Sequence, residues 1–498
     1  MKTRRGAFSA LCIAGVLLIA ACGSDSKSAS DATTAGGTTA PGGTTAPGDT
    51  TAPAGTTAPG GTTAPGGTTA PDGTAAPATG GSILGSTIKC DKQYAGKEVH
   101  IFSPVRDSET DKGATRLRDA YAPLEECTGV KVVYDGTDQF ETEVKVRVDG
   151  GNPPDVIDFP QPGGFLDLIK KSQLFPFPDA LAASVTNDDV AGWPELATVD
   201  GKVYGVPARA NVKSIVWYSP KAFADKGYKI PTSLEELTTL SDKIVADGGI
   251  PWCVGIESGV ATGWPITDWF EDFMLRINGP DVYDQWVQHK IPFNDPKVKA
   301  VADAVGAIVK NPAYIGGDNA VKAEATTKFQ EGGFPILQGN CYMHKQASFY
   351  STIWPAGTKI GPDGDVDTFY LPVKAGDPKY MMGGGDLIGA GTDKPESFDV
   401  LMYTNSLEYA TAIIKGGETS LSPRKDFDTS TFTDPVIKGF ADLLKNSDVF
   451  RFDGADMMPA AIGSGAFWKE ATAWIAGSDS TDDMLNNIEA AWKALPQG

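Results

Sequence analysis

Aromatic and acidic side chains lie close together in one stretch of the chain, GIESGVATGWPITDWFEDF, which covers residues 255–273. Sugar rings pack their C–H faces on indole rings, and sugar hydroxyls hydrogen-bond with carboxylates, amides and guanidinium groups. A loop that carries Trp264 beside Asp268 therefore predicts a site for a neutral sugar. The alternative interpretation is that such Trp residues anchor a hydrophobic core, and Trp468 in GSGAFWKE is open to both interpretations.

Sequence strings typical of catalysis are missing. The chain has three His residues and contains no HExxH, GxSxG, P-loop or GxGxxG string. Gly383–Gly385 predicts a turn or a loop that closely approaches another group. A glycoside hydrolase needs only two carboxylates, so with 63 acidic residues hydrolysis is unsupported rather than excluded. We therefore predict a protein that is not an enzyme and that uses no cofactor and no metal.

The overall charge excludes several classes of partner. The chain has 43 Lys and Arg against 63 Asp and Glu, a net charge of −20. Nucleic-acid binding and basic membrane patches both need clustered positive charge, so we expect neither.

The first residues indicate export. A basic start precedes an apolar run from Leu11 to Ala21, which suits a signal peptide and is too short to span a bilayer. The run ends in Ile-Ala-Ala-Cys, which resembles the lipobox of bacterial lipoproteins. We predict a lipoprotein signal peptide over residues 1–21 and a lipid on Cys22. Cleavage by an ordinary signal peptidase, with Cys22 incidental, is the alternative.

The next segment predicts a spacer. From about Ser24 to Gly80 the composition falls to mainly Thr, Ala, Pro and Gly, and the hexamer TTAPGG recurs. A segment without large apolar residues cannot bury a core. With the lipidated Cys22 it gives a disordered tether over residues 22–82.

Four further cysteines favour two disulfides, because an even number in an exported chain is typical of an oxidising compartment. Three pairings are possible for Cys90, Cys127, Cys253 and Cys341. Cys90 and Cys127 flank the first strand–helix unit, which favours Cys90–Cys127 with Cys253–Cys341. None lies in a CxxC, so zinc and thiol redox chemistry are not expected.

The elements that would position these residues begin near residue 88. The patterns predict strands at 97–104, 130–136, 154–160 and 251–258, and two strand-like runs within 200–228 that kink at Pro207. They predict helices at 112–127, 140–148, 434–446, within 467–494, and after a Ser233 cap. Strands that alternate with helices predict an α/β fold with parallel sheets.

Two α/β lobes joined by crossing strands would enclose a cleft, which is a preferred place for a small ligand. We predict lobe 1 from residues 88–209 and about 340–415, and lobe 2 from residues 210–339 and about 416–498. Hinge segments are expected near 208–211 and 334–339.

The order of these segments resembles extracellular solute-binding proteins (family 1) of carbohydrate ABC importers. The resemblance is carried by DVIDFPQPGG, VDGKVYGVPARANVKSIVWYSPKAF, DGGIPWCVGIESGVATGWPITDWFEDFMLR and FRFDGADMMPAAIGSGAFW, and it covers residues 95–498. Within that family the chain is most similar to alpha-glucoside-binding lipoproteins. The resemblance implies a two-lobed periplasmic-binding-protein-like fold of type II, whose ligand cleft closes on a sugar and then docks on a two-subunit permease with its ATPase.

The resemblance also implies which residues contact the ligand. They lie in loops after strands, at the first crossover and near the Trp-rich segments: Arg106, Asp107, Asp158, Gln161, Asn211, Lys213, Trp264, Asp268, Trp269, Asp386, Arg424 and Trp468. For the charged members the alternative is a solvated face or a structural ion pair.

We therefore expect a monomeric, extracytoplasmic protein, lipid-anchored to the bacterial cell membrane, that captures a neutral oligosaccharide for an ABC permease. Trehalose, maltose and sucrose are examples of the predicted alpha-glucosides. The alternatives are a secreted glycoside hydrolase and a sugar sensor or adhesin that takes no part in transport.

Overall fold

The computed structural model describes residues 82–83, 88–108, 111–429 and 434–496. The predicted signal peptide, the lipidation of Cys22 and nearly all of the predicted tether lie outside these residues. Among the residues described, no helix has the length and apolar character needed to cross a membrane.

The strands are, in chain order, β1 Ser82–Ile83, β2 Ile88–Lys89, β3 Glu98–Ser103, β4 Lys131–Gly136, β5 Val156–Phe159, β6 Thr198–Val199, β7 Lys202–Val203, β8 Gly205–Val212, β9 Ile215–Tyr218, β10 Met343–Lys345, β11 Asp367–Tyr370, β12 Tyr380–Ala390 and β13 Val449–Phe452.

The helices are α1 Gly113–Asp119, α2 Ala122–Thr128, α3 Phe140–Asp149, α4 Pro162–Lys170, α5 Asp179–Asp188, α6 Trp193–Leu196, α7 Pro220–Lys226, α8 Leu234–Ala246, α9 Trp264–Asn278, α10 Pro280–Val287, α11 Pro296–Val309, α12 Pro312–Ile315, α13 Asp318–Ala323, α14 Pro395–Thr404, α15 Leu407–Lys415, α16 Pro435–Lys445, α17 Gly454–Met457, α18 Trp468–Ala476 and α19 Thr481–Lys493. Short 3-10 turns include Gly259–Ala261, Glu324–Thr326 and Phe334–Gln338, and Ile462–Phe467 forms a π-helical turn before α18.

The larger sheet has six strands, in the order β13-β12-β5-β3-β4, with β8 also paired to β12. The strands β3, β4 and β5 run parallel, as the alternation of strands and helices predicted. The long strand β12 runs antiparallel to β5 and β8 and parallel to β13. It therefore connects parts of the sheet that are far apart in the sequence.

A second sheet of three antiparallel strands has β9 between β10 and β11. The chain passes from the first sheet to the second between β8 and β9, close to the predicted hinge at 208–211. It returns between β11 and β12, not near 334–339, where a 3-10 turn replaces the predicted hinge. Strands β10 and β11 therefore join the second sheet, whereas the sequence-based limits grouped residues from about 340 with the first.

Separate hydrophobic clusters pack around the two sheets. Residues of β3, β4, β5 and β12 are buried against α1–α5, α14 and α15. A larger cluster combines α8–α11, α18 and α19 with β9, β10 and β11. Each sheet thus has its own helices, which gives two α/β bodies, and Met381 and Met382 of β12 connect them by joining the clusters around the second sheet.

Four local predictions were wrong, one of which is the turn or loop at Gly383–Gly385, because these residues lie inside β12. The predicted helix at 112–127 is two helices, because α1 ends at Asp119 and α2 begins after Tyr121, with Pro123 in its first turn. The predicted kink at Pro207 is absent, since Pro207 pairs with Leu387 inside β8. An edge strand tolerates a proline, which has no N–H to donate.

The predicted strand at 251–258 is not formed. Trp252 makes a single bridge to Met343, and Glu257 makes one to Lys328. Two isolated bridges do not make a ladder, so this segment is an ordered loop. Both disulfides of the favoured pairing, Cys90–Cys127 and Cys253–Cys341, are present, and that prediction is confirmed.

Candidate functional site

Polar side chains recur along the strand that crosses between the sheets. Arg209, Asn211 and Lys213 occupy alternate positions in GVPARANVK. Arg209 has a φ of +48°, and β12 shifts its register against β8 between Gly384 and Asp386. Irregularities of this kind re-aim side chains. Here Arg209 and Lys213 contact two different groups of carboxylates.

The arginine centre consists of Arg209, Asp158, Asp386, Ser103 and Tyr134. The Arg209 guanidinium lies 2.7 Å from Asp158 Oδ2 and 2.7 Å from Asp386 Oδ2. Ser103 Oγ and Tyr134 OH donate to Asp158 Oδ2 at 2.8 and 3.2 Å. Asp158 Oδ1 is buried without a hydrogen-bond partner. This centre therefore has an acceptor available to a ligand.

Burial dominates the electrostatics of the arginine centre. It raises the pKa of Asp386 to about 7, although Arg209 acts in the opposite direction. The pKa of Arg209 stays well above its usual value, because the nearby Asp158 and Asp386 outweigh the effect of burial. Arg209 thus remains charged, and Asp386 is easier to protonate than an exposed carboxyl.

The lysine centre consists of Lys213, Asp268, Glu271, Asp453 and Asp456. Lys213 Nζ lies 3.1 Å from Asp268 Oδ1, 2.5 Å from Asp453 Oδ2 and 3.9 Å from Asp456 Oδ2. Asp453 also caps α17, because its Oδ1 accepts from Asp456 N at 2.9 Å. Glu271 Oε1 accepts from Ala455 N at 3.1 Å. The centre therefore ties α9 and α17 to the crossing strand.

One ammonium lies beside four carboxyls in the lysine centre, of which three are buried and that of Asp456 is 13% exposed. Burial raises the pKa of Asp268 to about 7 and raises that of Glu271 well above its usual range. The same cause raises the pKa of Asp456, reinforced by the Asp453 charge. These three carboxyls are therefore harder to ionise than exposed ones. Lys213 is already paired with Asp268 and Asp453, so it offers little to an anionic ligand.

The lysine centre also contains the single group of potential metal ligands found among the residues described, namely Asp268, Glu271 and Asp453, whose carboxylate oxygens lie within 4.8 Å of one another. Lys213 Nζ already binds Asp268 and Asp453. Its ammonium supplies the positive charge that a metal ion would bring, so these residues fit a metal poorly.

The three predicted ligand-binding Trp residues lie in different environments. Trp264, half-buried at the start of α9, has its ring centroid 4.9 Å from that of Phe329 and 5.5 Å from Lys213 Nζ. Trp269 is 2% exposed and packs in the core against Trp252. Trp468 is also 2% exposed, but its indole N–H is buried without a partner. Trp269 therefore matches the core interpretation, whereas Trp264 and Trp468 keep features of a binding site.

Asn211 lies between the two centres. Its Nδ2 donates to Arg209 O at 2.8 Å, and its Oδ1 accepts from Ser348 and Ser420 at 3.1 and 3.2 Å. The two centres and Asn211 therefore lie along one strand. Of the predicted ligand residues, Asp158, Lys213, Asp268 and Asp386 belong to these centres.

The remaining predicted residues have other partners. Arg106 is exposed and lies 3.2 Å from Asp138. Asp107 accepts from Thr115 N at 3.0 Å. Gln161 precedes α4 and donates to Glu141 at 3.2 Å. None of them is a member of either centre.

Arg424 lies at a separate place. Its guanidinium pairs with Asp426 at 2.8 Å and lines a cavity of about 520 Å³ beside α5 and α15. The structure therefore does not bring Arg424 to the two centres.

Sequence reasoning missed Arg209, Glu271, Asp453 and Asp456 as members of the site. Arg209 had a visible signal, since it alternates with Asn211 and Lys213. Asp453 also had one, because it stands between a strand and a helix in FRFDGAD. Glu271 is one helical turn from the predicted Asp268, and Asp456 is three residues after Asp453, but neither carries a pattern that separates it from surface acids.

Comparison with known proteins agrees with this fold. Residues 106–396 match the family described as bacterial extracellular solute-binding protein. The Osmoprotective compounds-binding protein GgtB of Synechocystis is 39% identical, over 80% of this chain and 92% of its own length. The Alpha-glucosides-binding periplasmic protein AglE of Rhizobium meliloti is 34% identical, over 80% of this chain and 88% of its own length.

Solved structures share the architecture at low sequence identity. The bacterial solute receptor AcbH, described as having an exclusive preference for β-D-galactopyranose, superposes with a TM-score of 0.68 at 19% identity, covering 80% of this chain and 99% of its own. A chitin oligosaccharide binding protein gives a TM-score of 0.67 at 19% identity, with coverage of 80% and 98%. At 19% identity, the similarity between these structures and this chain shows a shared two-lobed fold and no more.

Proposed function

This chain belongs to the bacterial extracellular solute-binding protein family, and from this we propose that it captures a neutral alpha-glucoside between its two lobes and delivers it to an ABC importer. Its relatives are binding proteins of transporters, among them one named for alpha-glucosides. We further propose that the ligand contacts Asp158, Lys213, Asp268 and Asp386 around the crossing strand. Trp264 and Trp468 supply the aromatic faces.

One observation carries the proposal. Polar atoms that can hydrogen-bond a hydroxyl are buried without partners, namely Asp158 Oδ1 in the arginine centre and the indole N–H of Trp468. Buried polar atoms without partners cost free energy, so a hydroxylated ligand that satisfies them gains affinity. The cations Arg209 and Lys213 are already paired with carboxylates, which favours an uncharged ligand over an anion.

The relatives also favour a second candidate ligand. GgtB is named for osmoprotective compounds, and it is the relative with 39% identity. An osmoprotectant without a sugar ring, such as glycine betaine, would also use an aromatic face, because a quaternary ammonium group binds indole rings by cation–π contact. The two candidates therefore differ in charge, since glycine betaine carries an ammonium and a carboxylate and a sugar carries neither.

Attachment to the cell is part of the same proposal. A solute-binding protein of an importer must stay near its permease, and a lipid on Cys22 with a tether over residues 22–82 would hold it there. We propose that the mature protein is anchored in this way and acts as a monomer.

A thermal-shift screen at neutral pH, followed by calorimetry, tests the ligand. Trehalose, maltose, sucrose and isomaltose form the panel, with glycine betaine and glucose 6-phosphate as the other arms. A ligand at one hundred times its Kd stabilises the fold by about 2.7 kcal/mol, so a true ligand gives a clear shift. Stabilisation by a disaccharide that remains intact supports the proposal, with an affinity that changes little with salt.

Two results would contradict it. Binding of glucose 6-phosphate alone would reverse the expected charge preference. Conversion of a disaccharide to glucose within hours would make the protein a hydrolase instead.

A further inference from the structure

The cavity of about 520 Å³ beside α5 and α15 shares no lining residue with the arginine centre or the lysine centre. Its volume falls in the range of about 300–1,000 Å³ that is usual for small-ligand sites. Ala183, Ser184 and Asp188 line it from α5, and Asn405 and Glu408 line it from the start of α15. We call it the α5–α15 cavity and define it by these five residues.

Asn405 holds a hydrogen-bond acceptor that the protein itself leaves unused. The residue is 2% exposed, and its Oδ1 is buried without a hydrogen-bond partner. Its Nδ2 donates to Ser184 Oγ at 3.2 Å, and Ser184 Oγ donates to Asp188 Oδ2 at 2.8 Å. A buried acceptor without a partner costs free energy, so a ligand that donates a hydrogen bond to it gains affinity.

Acidic groups outnumber basic ones among the residues that line the cavity. Asp188, Glu408 and Asp426 face a single lining cation, Arg424. The Arg424 guanidinium donates to both carboxylate oxygens of Asp426, at 2.8 Å each. Glu408 has no ion-pair partner in the part of the chain that the structure describes. The unpaired charge of the cavity is therefore negative.

The end of α5 favours positive charge as well. Asn187 and Asp188 lie in its last turn, where the helix dipole stabilises a cation. Lys425 is not a lining residue, but its Nζ donates to Asn187 O at 2.7 Å, so one ammonium group is already bound at this rim. The adjacent Asp189 is 1% exposed, and neither of its carboxyl oxygens has a hydrogen-bond partner. This end of the cavity therefore has an excess of acceptors over donors.

The other wall of the cavity is apolar but not aromatic. Ala180, Ala183, Met402 and Leu407 line it, and Leu407 is 37% exposed. None of the described residues that line the cavity is aromatic, so it offers no face on which a sugar ring could stack. A short alkyl chain would cover this wall and bury part of Leu407.

We infer that the α5–α15 cavity is a second binding site, which takes a small ligand with an ammonium group on a short apolar chain. The ammonium group donates to Asn405 Oδ1 and pairs with Glu408, while the chain packs against Ala183 and Leu407. This site lies outside the two centres, so it goes beyond the proposed capture of a sugar and does not depend on it.

An NMR titration of the intact protein at low ionic strength tests the site, with n-butylamine at pH 7.5 as the probe and n-butanol as its neutral counterpart. We expect the amide signals of Ser184, Asn405 and Glu408 to shift with n-butylamine and not with n-butanol. Raising the salt concentration should weaken the binding, because salt screens an exposed ion pair.

Glu408→Gln and Glu235→Gln form a matched pair of variants. Both helices, α15 and α8, begin after a serine cap with Leu-Glu, so each change removes one exposed charge from the first turn of a helix. Only Glu408 lines the cavity. We expect Glu408→Gln to weaken n-butylamine binding by about two- to five-fold, as for an exposed ion pair, and Glu235→Gln to bind as the wild type does.

Ala183→Phe tests the cavity without a change of charge. Ala183 is exposed, so the larger ring fills the cavity rather than the core, and the shifts with n-butylamine should disappear while the unfolding temperature stays near that of the wild type. Equal shifts with n-butanol, equal binding by Glu408→Gln and the wild type, or no shift at any of the three amides would overturn the inference. Shifts confined to residues of the lysine centre would also overturn it, because they would place the ammonium group there.

Discussion

Trp468 lies almost wholly buried, yet its indole N–H has no partner and its ring is in none of the described hydrophobic clusters. We expect Trp468→Ala to weaken binding of an alpha-glucoside by about ten-fold or more. One stacking ring contributes ~1–2 kcal/mol, and ~1.4 kcal/mol corresponds to a factor of ten. Calorimetry measures the change, with Trp492→Ala as control, because Trp492 stacks on His289 instead. Unchanged affinity in Trp468→Ala would exclude this ring from the site.

Lys213 is the cation that Asp268 and Asp453 of the lysine centre share. Lys213→Met leaves Asp268 and Asp453 buried without their cation, so we expect a loss of about 3–5 kcal/mol in unfolding free energy. Protonation relieves uncompensated carboxylates, so the loss should be smaller at pH 5 than at pH 8. Urea denaturation at both pH values measures it. A loss that is the same at the two pH values would show that packing, not charge, explains the effect.

Arg209 and Lys213 illustrate what a single sequence reveals about a site. Lys213 was expected near the ligand, and it lies in a buried charge centre. Arg209 was passed over, because no local pattern shows that Asp158 and Asp386, from distant strands, converge on it. Which charged side chains meet depends on the order of the strands in the sheet, and no single segment of the sequence determines that order.

Helices with strong local signals were predicted well. The Ser233 cap accepts from Glu236 N at 3.2 Å and starts α8, and α16 begins after its Asp434 cap. The break between α1 and α2 was missed, because the apolar spacing continues across it. The loop at 251–258 was read as a strand, because its apolar run satisfies the strand pattern while tertiary contacts hold it to isolated bridges.

The 3-10 turn Glu324–Thr326 holds a buried carboxyl group whose two oxygens lack hydrogen-bond partners. Burial raises the pKa of Glu324 well above its usual value near 4.5. Above that usual value the unfolded chain releases the proton and the folded one keeps it. The unfolding free energy therefore falls as the pH rises, by at most ~1.4 kcal/mol per pH unit.

Glu324→Gln replaces the titrating carboxyl by an amide that does not titrate. The variant should therefore lack the part of the pH dependence of the unfolding free energy that comes from Glu324. Urea denaturation of both proteins from pH 5 to pH 8 should show the variant gaining on the wild type as the pH increases. If the two curves run parallel, Glu324 does not titrate differently in the folded and unfolded states.

The division of the whole chain into two α/β bodies could be predicted from the alternation of strands and helices. The place where the chain passes back to the first sheet could not be predicted. Both β11 and β12 have strand-like sequences, and only their pairing partners show that they belong to different sheets.

Attachment to the cell can be tested on the intact protein. Replacing Cys22 by Ala removes the predicted lipid acceptor, so we expect the protein to appear in the medium. Fractionation with an antibody measures this, and Cys12→Ala is the control because Cys12 lies inside the predicted signal peptide. Equal retention of both variants at the membrane would contradict a lipid anchor.

The long strand β12 has a consequence for how the chain acquires its structure. It pairs with β5, β8 and β13, so that Val156 finds its partner at Ala390. Such distant pairing gives a high contact order, and folding rates fall as contact order rises. The strands β5 and β8 lack their β12 partner until residues 380–390, at the start of the last quarter of the chain, have been synthesised. A fragment that ends before residue 380 should therefore aggregate through these edges.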